Sequence, residues 1–296
     1  MPQVAAQTKI WMDGEFVDTN KASISVFDHG LLYGDGCFEG IRVYNGRILK
    51  LHSHIVRMFE SAAALRLEPG YTIDEIKEAI RETVAINDRH DGYIRVVFTR
   101  GKGSLGLNPF LCPKPSVFII AEKIKLYTDE MYEEGMSIVV AKRPRLPIEC
   151  LDPQIKSLNY LNNILAKIEA IDAGVLEALM LNIDGEVAEC TGDNIFIIKD
   201  GKISTPYTEA GILKGITRQF VINTIAPTLG YTVEERSISL DEVKDADEIF
   251  LTGTAAEIIG VSHIGQGAIG SGKVGSITKL LIQEFRQRVS THAPED

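Results

Sequence analysis

Lys156 stands in Ile155-Lys156-Ser157-Leu158-Asn159-Tyr160-Leu161-Asn162-Asn163, a setting that can turn a lysine into a nucleophile. Ser157 is a good N-cap, and Leu158, Leu161, Leu165, Ile168 and Ile171 follow at helical spacing, with Gly174 as a natural stop. The pattern predicts a helix whose positive N-terminal end disfavours a second positive charge on Lys156. A lysine whose pKa is pushed down acts as a free amine and forms a Schiff base with an aldehyde. Taken alone, the pattern is more simply a solvated lysine ahead of a surface helix, because exposure is the ordinary state of that side chain.

Other residues of chemical type lead nowhere. Gly101-Lys102-Gly103-Ser104-Leu105-Gly106 spells a dinucleotide fingerprint, but that motif needs a helix directly after its glycines. Pro109, Pro113 and Pro115 forbid a regular one, so the segment reads as a mobile loop. His52 and His54 are two apart on a predicted helix, which splays their rings away from a common metal. Cys37, Cys112, Cys150 and Cys190 are far apart with no CxxC, which argues against zinc and a disulfide framework and for reduced thiols. No metal is expected.

The elements that must position these groups begin with two hairpins, turning at Asp13-Gly14 and Asn45-Gly46. The glycine-rich run His29 to Gly40 between them is too irregular for a strand throughout. A helix follows over 51–67, with Arg57 on the flank of its apolar stripe, then a second from Ile73 to about Asn87. Strands are predicted at Tyr93–Thr99 and Ser116–Ala121. The charged stretch 122–134, with no convincing apolar period, reads as a linker. Beyond it come a strand near Met136–Val140, the lysine helix, hairpins through Asp184-Gly185 and Asp200-Gly201, and a helix from about Gly215 to Gly230. Strands at 231–238 and 248–251 and a final helix from Ser276 complete the chain. Interleaved helices and hairpins imply two α+β domains, a small one over 1–121 and a large one over 135–296, and not a doubly wound parallel sheet.

A chain of 296 residues with 45% apolar and 24% charged residues has the make-up of a soluble globular protein. Its net charge of −10 argues against nucleic acid or an anionic membrane as the main partner. The N-terminus has no signal pattern and no stretch is long enough to span a bilayer, so a cytoplasmic location is expected.

Five words in order carry a family resemblance: Phe38-Glu39-Gly40-Ile41-Arg42, Lys156-Ser157-Leu158-Asn159-Tyr160-Leu161-Asn162-Asn163, Glu189-Cys190-Thr191-Gly192-Asp193-Asn194-Ile195-Phe196, Gly215-Ile216-Thr217-Arg218, and Gly253-Thr254-Ala255-Ala256-Glu257. Together they resemble the class IV, or fold type IV, pyridoxal-phosphate aminotransferases, most of all the branched-chain amino-acid members. The resemblance spans nearly the whole chain. It implies a smaller N-terminal and a larger C-terminal domain with pyridoxal 5′-phosphate between them. It makes Lys156 the Schiff-base lysine and general base, and Glu189 the partner of the pyridine nitrogen. Arg57, Ile216, Thr217 and Thr254 would cradle the phosphate, with Tyr160 at the ring oxygen and Leu213 on the ring face. Phe38, Gly40 and Tyr93 would line the substrate, Arg95 would meet the side-chain carboxylate of glutamate or 2-oxoglutarate, and the Thr254-Ala255 backbone would hold the α-carboxylate. Tyr33 and Leu107 would belong to the neighbouring subunit's pocket, which implies a homo-oligomer, at least a dimer.

The implied reaction is transamination between leucine, isoleucine or valine and 2-oxoglutarate. A D-amino-acid aminotransferase of the same fold is the nearest rival, since Tyr33-Gly34-Asp35-Gly36 and the lysine word resemble that branch also. An aminodeoxychorismate lyase is more distant, because Tyr93-x-Arg95 weighs against it. Cys190 departs from the glycine that many relatives carry there, and the tryptophan some carry in the linker is missing, the sole Trp being Trp11.

Overall fold

A computed structural model describes residues 8–124 and 127–292; positions 1–7, 293–296 and, within the expected linker, 125 and 126 lie outside the described residues. The chain forms two compact units. One is Met1–Ile124 with Ile155–Asn159 and His292–Asp296, and the other is Lys125–Gln154 with Tyr160–Thr291. Both mix helices with sheets, an α+β fold.

The first unit holds strands β1 (Lys9–Met12), β2 (Glu15–Asp18), β3 (Gly36–Tyr44), β4 (Arg47–Ile48), β5 (Gly92–Thr99) and β6 (Ser116–Glu122). They form an antiparallel sheet in the order β2-β1-β6-β5-β3-β4. Both predicted hairpin turns are present, with Asp13, Gly14, Asn45 and Gly46 all at positive φ as a type I′ turn requires. The helices Leu51–Ala64 and Ile73–Ile86 lie over one face. The second starts at a capping box between Thr72 and Glu75. Leu51, Ile55, Met58, Ile76 and Ile80 pack there against Ile41, Ile94, Val96 and Phe98 of the strands. Burying each such side chain contributes roughly 1.5–3 kcal/mol. The glycine-rich run divides: Asp28 accepts from the Gly30 N–H to cap a short helix, His29–Tyr33, and β3 begins at Gly36.

The second unit holds β7 (Met136–Val140), β8 (Glu177–Leu181), β9 (Val187–Cys190), β10 (Asn194–Lys199), β11 (Lys202–Pro206), β12 (Val233–Arg236), β13 (Glu248–Gly253), β14 (Glu257–Ile264) and β15 (Gly267–Ala268). The sheet order is β12-β11-β10-β13-β14-β7-β8-β9, with β15 on β14. The β11–β12, β14–β7 and β7–β8 pairs are parallel and the others antiparallel. The helix from Ile216 runs through a π turn at Val221–Ile225 to Thr228, and the last helix covers Ser276–His292.

Three readings of the sequence are corrected. The helix after the lysine starts at Leu161 with Tyr160 at its N-cap, so Ser157, whose Oγ accepts from the Asn159 N–H at 3.2 Å, does not cap it, and Lys156 is not at a helix entrance. Ser157 instead bridges Cys37, and the Leu158 N–H donates to the Gly36 carbonyl, so strand pairing has overridden a helical pattern. The apolar stripe of that helix is not its buried side: Ala166 and Ala170 face the core, while Leu161 is 64% exposed and Ile164, Ile168 and Ile171 are exposed too. The stretch read as an unpatterned linker contains a helix, Asp129–Glu134, capped by Thr128.

Candidate active site

Adjacent residues of a strand point to opposite faces, so β3 divides its chemistry. Phe38 and Gly40 face away from the helices, opposite Val97 and Arg95 in the register of β3 with β5. The Arg95 guanidinium lies 4.4 Å from the Phe38 ring centroid, and its Nη2 donates to the Tyr93 hydroxyl at 3.2 Å. Gly40 permits this arrangement, because a Cβ there would stand 1.9 Å from the Tyr93 hydroxyl oxygen.

Lys156 joins the same face. The Phe38 N–H donates to its carbonyl at 3.0 Å, and its own N–H donates to Ser61 Oγ at 3.1 Å. Its Nζ stands 4.7 Å from the Phe38 centroid. A lysine amine and a guanidinium thus flank one aromatic ring.

On the other face of β3, Glu39 is fully buried and accepts from Arg57 through Nε at 2.7 Å and Nη2 at 2.9 Å. Its second oxygen is 2.8 Å from His54 Nδ1. Burial alone would raise the Glu39 pKa, but the Arg57 charge and the two neighbours' hydrogen bonds hold it well below the usual carboxylate range. Burial pushes the His54 pKa down, against the pull of Glu39. Arg57 is therefore not a solvated flank residue: Glu39 takes two of its five donors. His54, set aside as a ligand, is a buried polar partner. Tyr33 and Leu107 are 37% and 81% exposed, and the Gly106 N–H donates to the Tyr33 hydroxyl.

In the second unit Glu189 is buried at the end of β9. Arg145 Nη2 reaches its Oε1 at 2.8 Å, while Asn194 Nδ2 and the Leu213 N–H both donate to Oε2 at 3.0 Å. Gly215 lets Asn194 lie close, since a Cβ there would meet Asn194 Oδ1 at 2.1 Å. The first N–H groups of a helix have no intrahelical partners, and Gly215 offers those at Ile216 and Thr217 no side-chain cap. Thr254 and Ala255 are half-buried in the turn from β13 to β14, and Tyr160 and Leu213 are half-buried as well.

Sequence reasoning missed Arg145, whose neighbours Lys142 and Arg143 are exposed, and nothing local sets it apart. It also missed Asp193, buried beside β13. Burial and then Glu177 push its pKa up to about 7, and the Tyr127 hydroxyl donates to it at 3.3 Å. Cys190 is buried, and its N–H donates to the Asp193 carbonyl. Among the described residues no group of His, Cys, Asp or Glu could hold a metal, and no helix is long and apolar enough to cross a membrane.

Residues 36–264 match the family described as amino-transferase class IV, and the chain belongs to that family. A Methanocaldococcus jannaschii protein provisionally named branched-chain-amino-acid aminotransferase is 47% identical, over 94% of this chain and 95% of its own length. A D-alanine aminotransferase of Staphylococcus haemolyticus is 34% identical over 97% and 99%. The T.th. branched-chain amino acid aminotransferase, solved with N-(5′-phosphopyridoxyl)-L-glutamate, superposes with a TM-score of 0.91 at 36% identity, covering 98% of this chain and 96% of that one. The same protein is solved with 4-methylvaleric acid.

Proposed function

We propose that the chain is an aminotransferase that moves the amino group of leucine, isoleucine or valine to 2-oxoglutarate, with pyridoxal 5′-phosphate as cofactor. The observation that carries this reading is the Phe38 ring, with Lys156 Nζ at 4.7 Å and the Arg95 guanidinium at 4.4 Å from its centroid. An amine able to react and a cation able to meet a side-chain carboxylate share one apolar wall. That combination suits a pocket that must take both an aliphatic side chain and an anionic one. The neighbouring T.th. structures, with a glutamate adduct in one and a branched acid in the other, support it.

The donor set fits the cofactor. Glu189 is a buried carboxylate suited to accept from a ring N–H, and the open N–H groups at Ile216 and Thr217 suit a phosphate. Thr254 and Arg57, the latter held by Glu39, would complete the phosphate cradle, with Tyr160 at the ring oxygen and Leu213 on the ring face. When bound, pyridoxal phosphate supplies an aldehyde for the amino group and a ring that takes up the electrons of the broken Cα–H bond. Lys156 Nζ would tether the cofactor, remove the Cα proton and return it on the way to the 2-oxo acid. Arg95 and Tyr93 would orient 2-oxoglutarate, Phe38 and Gly40 would face the aliphatic chain, and the Thr254-Ala255 backbone would hold the α-carboxylate.

Exposed Tyr33 and Leu107 fit a role in a neighbouring copy's pocket, and with it a homo-oligomer of at least two chains. The four free cysteines fit a cytoplasmic location. We place the linker between domains at 122–134, between a small domain over 1–121 and a large one over 135–296. The test pairs L-leucine with D-alanine as donors to 2-oxoglutarate. Turnover with leucine and little with D-alanine is expected, and the reverse would move the chain to the D-amino-acid branch.

A further inference from the structure

We propose that Arg145 is a positioning residue that decides where a proton rests, on the ring nitrogen of the bound cofactor or on the carboxylate of Glu189. The inference rests on the reading of Glu189 as the ring-nitrogen partner.

A proton shared between a pyridine nitrogen and a carboxylate stays with the stronger base. A buried carboxylate with no cation beside it becomes more basic, because burial disfavours its charged form. Glu189 is buried, so without help it would draw the proton to itself. Three donors oppose that: Arg145 Nη2 on Oε1 at 2.8 Å, and Asn194 Nδ2 and the Leu213 N–H on Oε2 at 3.0 Å each. Of these three, Arg145 is the one that carries a charge, and charge-assisted hydrogen bonds are roughly twice as strong as neutral ones.

The guanidinium is also held in place. Arg145 Nη1 donates to Asn163 Oδ1 at 2.9 Å, Nε to the Gly211 carbonyl at 3.4 Å, and the backbone N–H to the Leu181 carbonyl at 2.8 Å. Asn163 in turn donates to the Thr191 carbonyl at 2.8 Å, just past the end of β9. The segment after β7, the helix Leu161–Asp172 and the turns after β9 and β11 thus converge on one arginine. A lysine there would bring the charge but not the fork.

The test titrates apoprotein with pyridoxal phosphate and with its 1-deaza analogue, in which CH replaces the ring nitrogen, and follows the visible band of bound pyridoxal phosphate against pH. Wild type should prefer pyridoxal phosphate. Arg145→Met should cut that preference by about tenfold or more, hold the analogue's affinity within about threefold, and shift the pH at which the band changes. Arg145→Lys, a milder change should the methionine variant fold poorly, should keep part of the preference. Equal weakening of both ligands would make Arg145 purely structural and overturn the proposal. Glu189→Gln should lose the preference as well. If it keeps the wild-type preference, the role of Glu189 itself is refuted, which separates that failure from a failure confined to Arg145.

Discussion

Arg95→Met removes a cation and leaves a flexible apolar side chain in its place. Arg95 is half-buried, stacked at 4.4 Å on Phe38 and hydrogen-bonded to Tyr93, so a carboxylate meeting it would be only partly screened by water. Truncating one partner of a buried charge pair costs about 2–5 kcal/mol, and partial exposure favours the lower part of that range. At about 3 kcal/mol, with each 1.4 kcal/mol worth tenfold, the half-reaction with 2-oxoglutarate should lose roughly 100-fold in kcat/KM. Leucine places no charge against Arg95, so its half-reaction should change by less than about fivefold. Stopped-flow absorbance of the bound cofactor follows each half-reaction separately. Equal losses with both substrates would refute a role for Arg95 in holding the side-chain carboxylate.

Gly40→Ala should imitate part of that effect, since its methyl group would displace the Tyr93 hydroxyl; a rise in KM for 2-oxoglutarate greater than for leucine checks it. Glu39→Gln should destabilise the fold by about 3–5 kcal/mol in denaturant unfolding, because it leaves Arg57 with a neutral buried partner. The Glu39 pKa is lowered from 4.5, so the ionised carboxylate's stabilisation is complete above that value and fades as pH falls below it; the variant should lack that acid loss. Asp193 has the opposite sign. Its pKa is raised from 3.8 to about 7, so its stabilisation is full below 3.8 and lost as pH rises through about 7. Asp193→Asn should flatten unfolding free energy over that interval, and an unchanged slope would count against a neutral Asp193.

Much of the first unit was legible because its signals are local. The turns Asp13-Gly14 and Asn45-Gly46 and the apolar stripe from Leu51 each depend on near neighbours. What stayed hidden depends on distant pairing. Ser157 and Leu158 look helical until β3 claims them, and β14 is buried along most of its length, so it lacks the alternation that marks a strand. The candidate site divides the same way. Lys156 and Glu189 stood out through the words around them, but nothing near Glu39 or Arg145 marked the buried ion pairs they form. Chain order likewise gave no hint that Ile155–Asn159 packs with the first unit while Tyr160 belongs to the second.

The most direct measurement is mass spectrometry of the purified, borohydride-reduced and digested protein. The expected result is a single phosphopyridoxyl group on the peptide containing Lys156, with none on that peptide from Lys156→Ala. A protein that carries no such group, or carries it on another lysine, would contradict the assignment of Lys156.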